Sequence, residues 1–435
     1  MTEPLKVAVI GMGGFAQTHH DTVLALEEEG ECRLVCTCDP EMAGFTERQA
    51  QLRFAERGVQ VYTDYLAMLD AHQDSLDLVT IPTPVPLHAP MHAACVERGL
   101  AVYLEKPPTL DYAELERMIA LEQGARYETM VGFNFIVEPQ RQALKVRLVR
   151  GDFGAVRKIG VTGLWPRSSA YYGRASWAGR LRLGGRVVLD SCLGNGMAHY
   201  AHNGLFWGGT DDLWQWGSLR TVAAELYRAH PIEGTDTVFV RAQLSQGPEL
   251  LVGMTHACDG ETDEREWAEC EQATIMQRWV SLPEGGRNKA FFVNWTDGRV
   301  EQELNATEQH TLENFRTYLR YLRGEAPRPL TLLADSRPFV QLNDLAYIAA
   351  GNITQVPESA LRRRTTTGER PETFVEIAGI QEALACFMET GTFPSEQGLP
   401  WAAPGGKASV EDLPRLEEVI AGMAASAPPD FKSTQ

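Results

Sequence analysis

One segment constrains this chain more than any other: Val7-Ala8-Val9-Ile10-Gly11-Met12-Gly13-Gly14-Phe15-Ala16, a glycine pattern set between an apolar strand-like run and a helix-like one. A G-x-G-x-x-A turn at that junction has a mechanical reading. Gly11 permits the tight turn, Gly13 lets the backbone approach a pyrophosphate, and Ala16 lets the helix pack closely on the sheet. The helix then offers unpaired N–H groups and the positive end of its dipole to an anion. On this pattern Gly11, Met12, Gly13, Gly14, Phe15 and Ala16 are expected to line a dinucleotide.

Asp39 sharpens that expectation. It ends the next strand-like run, 23 residues beyond Ala16, where a carboxylate can accept both ribose hydroxyls of an adenosine. The same charge repels a 2′-phosphate, and Pro40 and Glu41 supply no cation to offset it. NAD is therefore expected over NADP.

From Leu5 to about Leu110, short apolar runs alternate with amphipathic stretches, the signature of βαβ units. Strands are predicted at 7–10, 33–38, 76–81, 100–104 and 130–135, with helices at 17–29, 41–57 and 90–98. After a predicted helix over 140–150 the texture changes: strands at 158–165, 221–228, 237–244, 250–256 and 273–282 follow one another, interrupted by helices at 193–207 and 308–323. Successive strands without long helices between them imply a largely antiparallel sheet. The fold class read from this is α/β: an N-terminal Rossmann doubly wound parallel sheet plus a C-terminal α+β domain with a large, mostly antiparallel open sheet. At 435 residues two domains are the default, since single cores stop growing near about 250–300 residues. The boundaries read as 1–135 for nucleotide binding, 136–350 for substrate binding and oligomerisation, and 351–435 for a helical extension packing on both, with 424–435 expected to fray.

Composition removes several classes of partner. A formal charge of −18 repels nucleic-acid phosphates and anionic lipid, and the one basic run, Arg362-Arg363-Arg364, reads as a solvated loop or helix end. Eight cysteines with no regular spacing fit neither a disulfide framework nor a zinc pattern, so a reducing, cytoplasmic compartment is expected. The N-terminus shows no basic and apolar leader pattern, and no run of about 18 apolar residues exists to span a membrane. No His, Cys, Asp and Glu cluster has metal-ligand spacing, and no G-x-S-x-G elbow is present.

Further along, Thr83-Pro84-Val85-Pro86-Leu87-His88 follows a strand, Glu105-Lys106-Pro107 ends another, and Val131-Gly132-Phe133-Asn134 ends a third. Taken with the glycine loop and in this order, the chain resembles the Gfo/Idh/MocA family of oxidoreductases over about residues 5 to 350. The resemblance implies an open-sheet substrate domain, a homo-oligomer (dimer or tetramer), a cofactor bordered by Thr83, His88, Glu105 and Lys106, and Asn134 near the substrate. It also implies a cis bond before Pro107 and makes Lys106 the active-site lysine. An ammonium partly desolvated beside a cationic nicotinamide has a lowered pKa and can hydrogen-bond the reacting oxygen. His19 and His20 match a cofactor-side position of the family and fit the surface of the first helix equally well.

The second part of the site is expected in the segment 184–199, where the family carries Gly-Gly, a strand, an aspartate and a histidine four residues later. Here the aspartate is Asp190 and the fourth residue after it is Gly194. Asn195 and His199, at i and i+4 of a predicted helix, are the nearest replacements, with His202 one turn on. His199 is assigned the proton-transfer role that its neutral-range titration suits. Upstream, the loop carrying Arg167, Tyr172, Arg174 and Trp177 offers aromatic faces and guanidinium forks, which suit sugar rings with hydroxyl or carboxylate groups.

The activity expected is hydride transfer between NAD and a secondary alcohol or ketone of a sugar, cyclitol or sugar derivative. Lys106, Asp190 and His199 are its catalytic residues. Two alternatives remain at this stage: a lyase or hydrolase that recycles NAD on a sugar derivative, and a non-catalytic dinucleotide-binding regulator.

Overall fold

The computed structural model describes residues 3–367 and 370–425, so most of the tail expected to fray, 426–435, lies outside the described residues. The chain divides into two compact units: Met1–Thr109 with Ala113–Val137 and Thr307–Ser336, and Leu110–Tyr112 with Glu138–Ala306 and Arg337–Gln435.

The first unit is a six-stranded parallel sheet of β1 (Leu5–Ile10), β2 (Cys32–Cys38), β3 (Gln60–Tyr62), β4 (Leu78–Ile81), β5 (Ala101–Leu104) and β6 (Met130–Val131), in the order β3-β2-β1-β4-β5-β6. That order reverses between β1 and β4, which opens a crevice at the carboxyl ends of the strands. The apolar runs are continuous because the sheet is covered on both faces. Val7, Val9, Tyr103 and Met130 pack with Val23 and Leu26 of the first helix, Ala16–Glu28, and with Leu312, Phe315 and Leu319 of the helix His310–Leu322. That last helix was assigned from sequence to the second domain; its apolar stripe instead completes the core of the first. The predicted strand over 130–135 is shorter, turning into a 3₁₀ segment at Asn134–Val137, and the helix over 41–57 breaks into three short pieces.

In chain order the second unit holds β7 (Val156–Leu164), β8 (Arg182–Leu183), β9 (Arg186–Val187), β10 (Leu219–Arg228), β11 (Thr237–Leu244), β12 (Glu249–Thr255) and β13 (Asp263–Cys270). There follow β14 (Ala273–Ser281), β15 (Arg287–Trp295), β16 (Val300–Leu304), β17 (Thr354–Gln355), β18 (Leu361–Thr365), β19 (Thr373–Ile377) and β20 (Gly406–Ser409). The main sheet runs β16-β15-β14-β13-β7-β12-β11-β10-β17, with β20 on β10. It is antiparallel except where β7 pairs with β12 and β10 with β17. Its middle is buried on both faces. Phe239 and Leu251 meet Leu384 and Phe387 of the helix Ile380–Thr390. On the opposite face the helix Ala198–Gly208 comes so near that a side chain at Gly204 would meet Val161 at 2.6 Å and Leu250 at 3.2 Å.

The extension beyond 350 is not simply helical. Arg362, Arg363 and Arg364, read as a solvated loop or helix end, lie in strand β18 against β19, where Arg363 and Arg364 pair with Glu358 and Asp259 at 2.6 and 2.8 Å. Among the described residues no helix is long and apolar enough to cross a membrane.

Candidate active site

In the first unit the nucleotide-facing candidates all follow strands at one edge: Gly11 after β1, Asp39 after β2, Thr83 just beyond β4, Lys106 just beyond β5. Gly11 (φ +115°) and Gly14 (φ +57°) take backbone conformations that a side chain would strain. A side chain on Gly11 would also press on the Ala16 methyl at 3.3 Å. The amides of Gly13, Gly14 and Phe15 donate to no other group among the described residues, which leaves them turned over to whatever the loop cradles. Asp39 closes the loop, its carboxylate accepting from the amides of Met12 and Glu41, each at 2.9 Å. Met12, expected to line the cofactor, has its side chain fully buried beneath the loop and its amide given to Asp39.

Three other candidates are buried. Glu105 is 5% exposed and turns inward, accepting from His19 Nε2 at 3.0 Å and from the Lys106 amide at 3.1 Å. It thus supports the Lys106 backbone. His88 is buried and bridges two carbonyls, Thr83 O at 2.7 Å and Pro107 O at 2.9 Å, tying the turn after β4 to the one after β5. Asn134 is buried too; its amide serves Tyr103, Asn314 and Thr311 at 2.8 to 3.0 Å. His19 and His20, which fitted a surface position equally well, are both inside the unit. The Lys106–Pro107 bond is cis, and Lys106 itself is half-buried.

The second unit builds its polar group around Asp190. Gly184 and Gly185, both at positive φ, make the two-residue turn that joins β8 to β9, as such hairpins require. The chain then enters Leu189 at φ +45°, a conformation costing roughly 1–2 kcal/mol for a residue with a side chain. The Leu181 carbonyl holds it there, accepting from Val188 and Leu189. Asp190 is thereby turned inward. Its carboxylate accepts from the Gly179 amide at 2.7 Å and from Asn195 Nδ2 at 2.8 Å, with Arg174 at 3.5 Å.

Residues 192–196 form a π-type turn, and the regular helix begins only at Ala198, so Asn195 and His199 do not share one α-helical face as predicted. Gly194 explains the departure from the family pattern. A side chain there would lie 2.9 Å from Asn343 Oδ1, Leu110 and the Leu189 carbonyl. No histidine fits. His199 is half-exposed in the first turn of the helix, whereas His202 is fully buried against Trp216. The helix itself is pinned by Asn203 and Trp207 donating to buried Glu266 and by the Lys145 ammonium, which caps its end through the carbonyls of Phe206, Gly209 and Gln215.

The aromatic loop packs beside Asp190. Arg174 lies over Tyr171 at 3.7 Å and Trp177 at 4.5 Å, while Arg167 lies over Trp165 at 4.1 Å and Tyr171 at 4.7 Å. Tyr172 stacks toward His230 with its hydroxyl buried, and burial raises its pKa well above the usual phenol range, so it is not an available proton carrier.

Sequence reasoning missed three residues here: His230, Asp236 and His256. Asp236 accepts from the His230 ring at 2.7 Å and from the amides of Ala229 and His230. Burial pushes its carboxyl up, but these bonds and the imidazole charge more than offset that and hold it below the usual range. The other His230 nitrogen meets the Arg167 carbonyl at 3.1 Å, so the ring spans the Asp236 carboxylate and that carbonyl. From the other side His256 donates to the Trp165 carbonyl at 2.9 Å, and its backbone carbonyl accepts from the Arg167 amide. Burial lowers its pKa to about 3 despite that bond, with the Arg167 charge adding to the effect. The signals were a His-Pro pair and a lone Asp at the start of a strand, neither distinctive without the fold.

Comparison with known proteins agrees with the first unit. Residues 5–133 match the model of an oxidoreductase family with an NAD-binding Rossmann fold. An inositol 2-dehydrogenase of Saccharopolyspora erythraea is 32% identical over 151 residues, covering 34% of this chain and 42% of that protein. A D-apiose dehydrogenase of Paraburkholderia graminis is 31% identical over 164 residues, 38% of this chain and 40% of its own length. The chain thus spans about two-fifths of the length of these curated relatives. The WlbA dehydrogenase of Bordetella pertussis, solved with NADH and UDP-GlcNAcA, shares the fold with a TM-score of 0.61 at 19% identity, over 79% of this chain and 96% of that one. Residues 5–133 thus form an NAD-binding Rossmann domain of the Gfo/Idh/MocA oxidoreductase type.

Proposed function

We propose that this protein is an NAD-dependent oxidoreductase acting on a secondary alcohol or ketone of a sugar, cyclitol or sugar derivative. The observation that carries the reading is the loop at Gly11–Ala16, with three uncommitted amides and Asp39 beside them and no cation at Pro40 or Glu41. Gly13, Gly14 and Phe15 would hold the pyrophosphate, Asp39 the adenosine ribose, and Thr83 and Lys106 the nicotinamide end. When bound, NAD supplies the hydride acceptor, or NADH the donor, at the nicotinamide C4.

The chain's own residues handle the proton. Lys106 takes the hydroxyl proton during oxidation or returns it to the carbonyl oxygen during reduction, and Asp190 and His199 are the catalytic residues assigned to assist it. Asn195, bonded to Asp190, orients that carboxylate, while Arg167, Arg174 and Trp177 position the substrate. A homo-oligomer in a reducing cytoplasm belongs to the same reading.

Two outcomes follow directly. Calorimetric titration should show NAD binding more tightly than NADP, and Asp39→Ser should narrow the gap; equal or reversed affinities in the native protein would remove Asp39 from cofactor choice. His199→Asn should keep NAD affinity, lower turnover, and erase a limb of the pH–rate profile near the ordinary histidine range of about 6–7. If that variant keeps both its rate and its profile, the relay runs through Lys106 without His199.

A further inference from the structure

Arg167 is out of keeping with its surroundings. The chain carries 58 acidic and 40 basic residues, yet among the described residues no carboxylate lies within ion-pair distance of this guanidinium, and its buried Nε meets no acceptor. Other half-buried arginines of the chain have theirs: Arg57 pairs with Glu27 at 2.5 Å and Arg98 with Asp70 at 2.7 Å.

Its placement is nonetheless built. Trp165 and Tyr171 flank the guanidinium, and the backbone of Arg167 is clamped by His230 on its carbonyl and by His256 on its amide. Two fully buried residues, His230 and Asp236, thus hold in place a side chain that pairs with no acid. The neighbouring charges do not cancel it. Arg174 shares Asp190 at 3.5 Å, the Asp236 carboxylate is taken up by the His230 ring at 2.7 Å, and burial, which raises the Tyr171 and Tyr172 phenols and lowers the His256 imidazole, keeps those three uncharged at neutral pH. Two guanidiniums around one tyrosine ring with one carboxylate between them leave one net positive charge.

We infer that the substrate carries a carboxylate, received by the Arg167 guanidinium in its Trp165–Tyr171 cradle, so that the sugar derivative is an acidic one such as a uronic or aldonic acid. A planar fork of N–H donors matches a planar carboxylate in two parallel bonds. One net charge suits a monoanion; a phosphate monoester, near a dianion at neutral pH, asks for more. The aromatic walls that hold the guanidinium also offer apolar surface to the ring faces of the sugar. This inference rests on the proposed oxidoreductase reading for the identity of the site, not for the existence of the anion contact.

The test is calorimetric binding of D-glucuronate, D-galacturonate and D-gluconate against D-glucose, D-galactose, myo-inositol and glucose 6-phosphate, to native protein saturated with NADH. In parallel, NADH formation from each compound is followed with NAD. At least one acid should bind about 10-fold or more tightly than its neutral counterpart. Arg167→Gln should weaken that acid about 10- to 100-fold, the loss expected for a charged hydrogen bond, and its neutral counterpart by less than about 3-fold. Arg167→Lys, which keeps the charge, should recover part of the difference. Neutral sugars binding as well as the acids, glucose 6-phosphate binding better than all of them, or equal weakening of acid and neutral sugar by Arg167→Gln would each overturn the inference. NADH formed from neutral compounds alone would sink it while leaving the oxidoreductase reading intact. Arg167-dependent acid binding without NADH formation from any compound would do the reverse.

Discussion

Replacing Lys106 by alanine is expected to leave NAD affinity nearly unchanged and to lower turnover by at least about 100-fold, the lower end of what a positioned acid–base group contributes. The expectation follows from how the first unit divides its labour. In the proposed reading, pyrophosphate and ribose fall to the glycine loop and Asp39 rather than to the Lys106 side chain. Lys106 instead sits at the end of β5, its amide fixed by the Glu105 carboxylate and the following turn tied through Pro107 and His88 to Thr83. A residue so braced loses little of its surroundings when truncated beyond Cβ. Calorimetry and steady-state rates on one preparation separate the two effects. Near-native turnover would remove Lys106 from the chemistry, and a collapse traced to lost NAD binding would make it a cofactor residue.

Asp236→Asn is expected to destabilise the second unit by about 3–5 kcal/mol, the usual cost of breaking a buried ion pair from one side. Asp236 and His230 are both fully buried, and the ring and two backbone amides converge on one carboxylate oxygen, which the variant's amide oxygen can replace in place but not in charge. Because the native carboxyl titrates below its ordinary range of about 3.9, its contribution is complete above that pH and is lost as the pH falls through the lower, folded-state value. The deficit in unfolding midpoint should therefore be full at pH 7 and shrink in acid below about pH 4. A midpoint unchanged at pH 7 would show the pair to be dispensable. The same variant should also loosen Arg167, whose carbonyl His230 holds.

The parallel sheet was legible because its strands are buried on both faces and read as unbroken apolar runs, punctuated by a glycine loop whose geometry has few uses. The outer half of the second sheet was not. Strand β13, Asp-Glu-Arg-Glu-Trp-Ala-Glu-Cys, reads as solvated chain, yet Glu264 and Glu266 are buried. Arg141, Asn203 and Trp207 satisfy Glu266, and Trp279 satisfies Glu264; these partners lie 15 to 125 residues away in the chain. Burial of charge through such distant partners leaves no local pattern. The helix Arg337–Ala350 went unread for another reason: it is buried nearly all round, so that even Asn343 and Asp344 lie inside and interrupt its apolar pattern.

The same contrast holds at the site. Lys106, Asp39 and Asp190 were found because a motif fixes their place after a strand. His88, Glu105 and Asn134 lie in the motifs that named them but are buried, and a motif does not say whether a side chain faces a ligand or the interior. Gly194 gives the opposite lesson. Its identity departed from the family pattern, and the reason, crowding by Asn343, Leu110 and the Leu189 carbonyl, is visible only in three dimensions.

The central claim is net hydride transfer to NAD from a polyhydroxylated substrate. Purified protein with NAD, screened against cyclitols, aldoses, sugar acids and anhydrosugars while absorbance of the reduced nicotinamide is followed, tests it most directly. The account predicts NADH accumulating in proportion to substrate consumed with at least one of these compounds, dependent on Lys106. Substrate consumed with no net NADH, the NAD being regenerated within each turnover, would contradict it and make the protein a lyase or hydrolase.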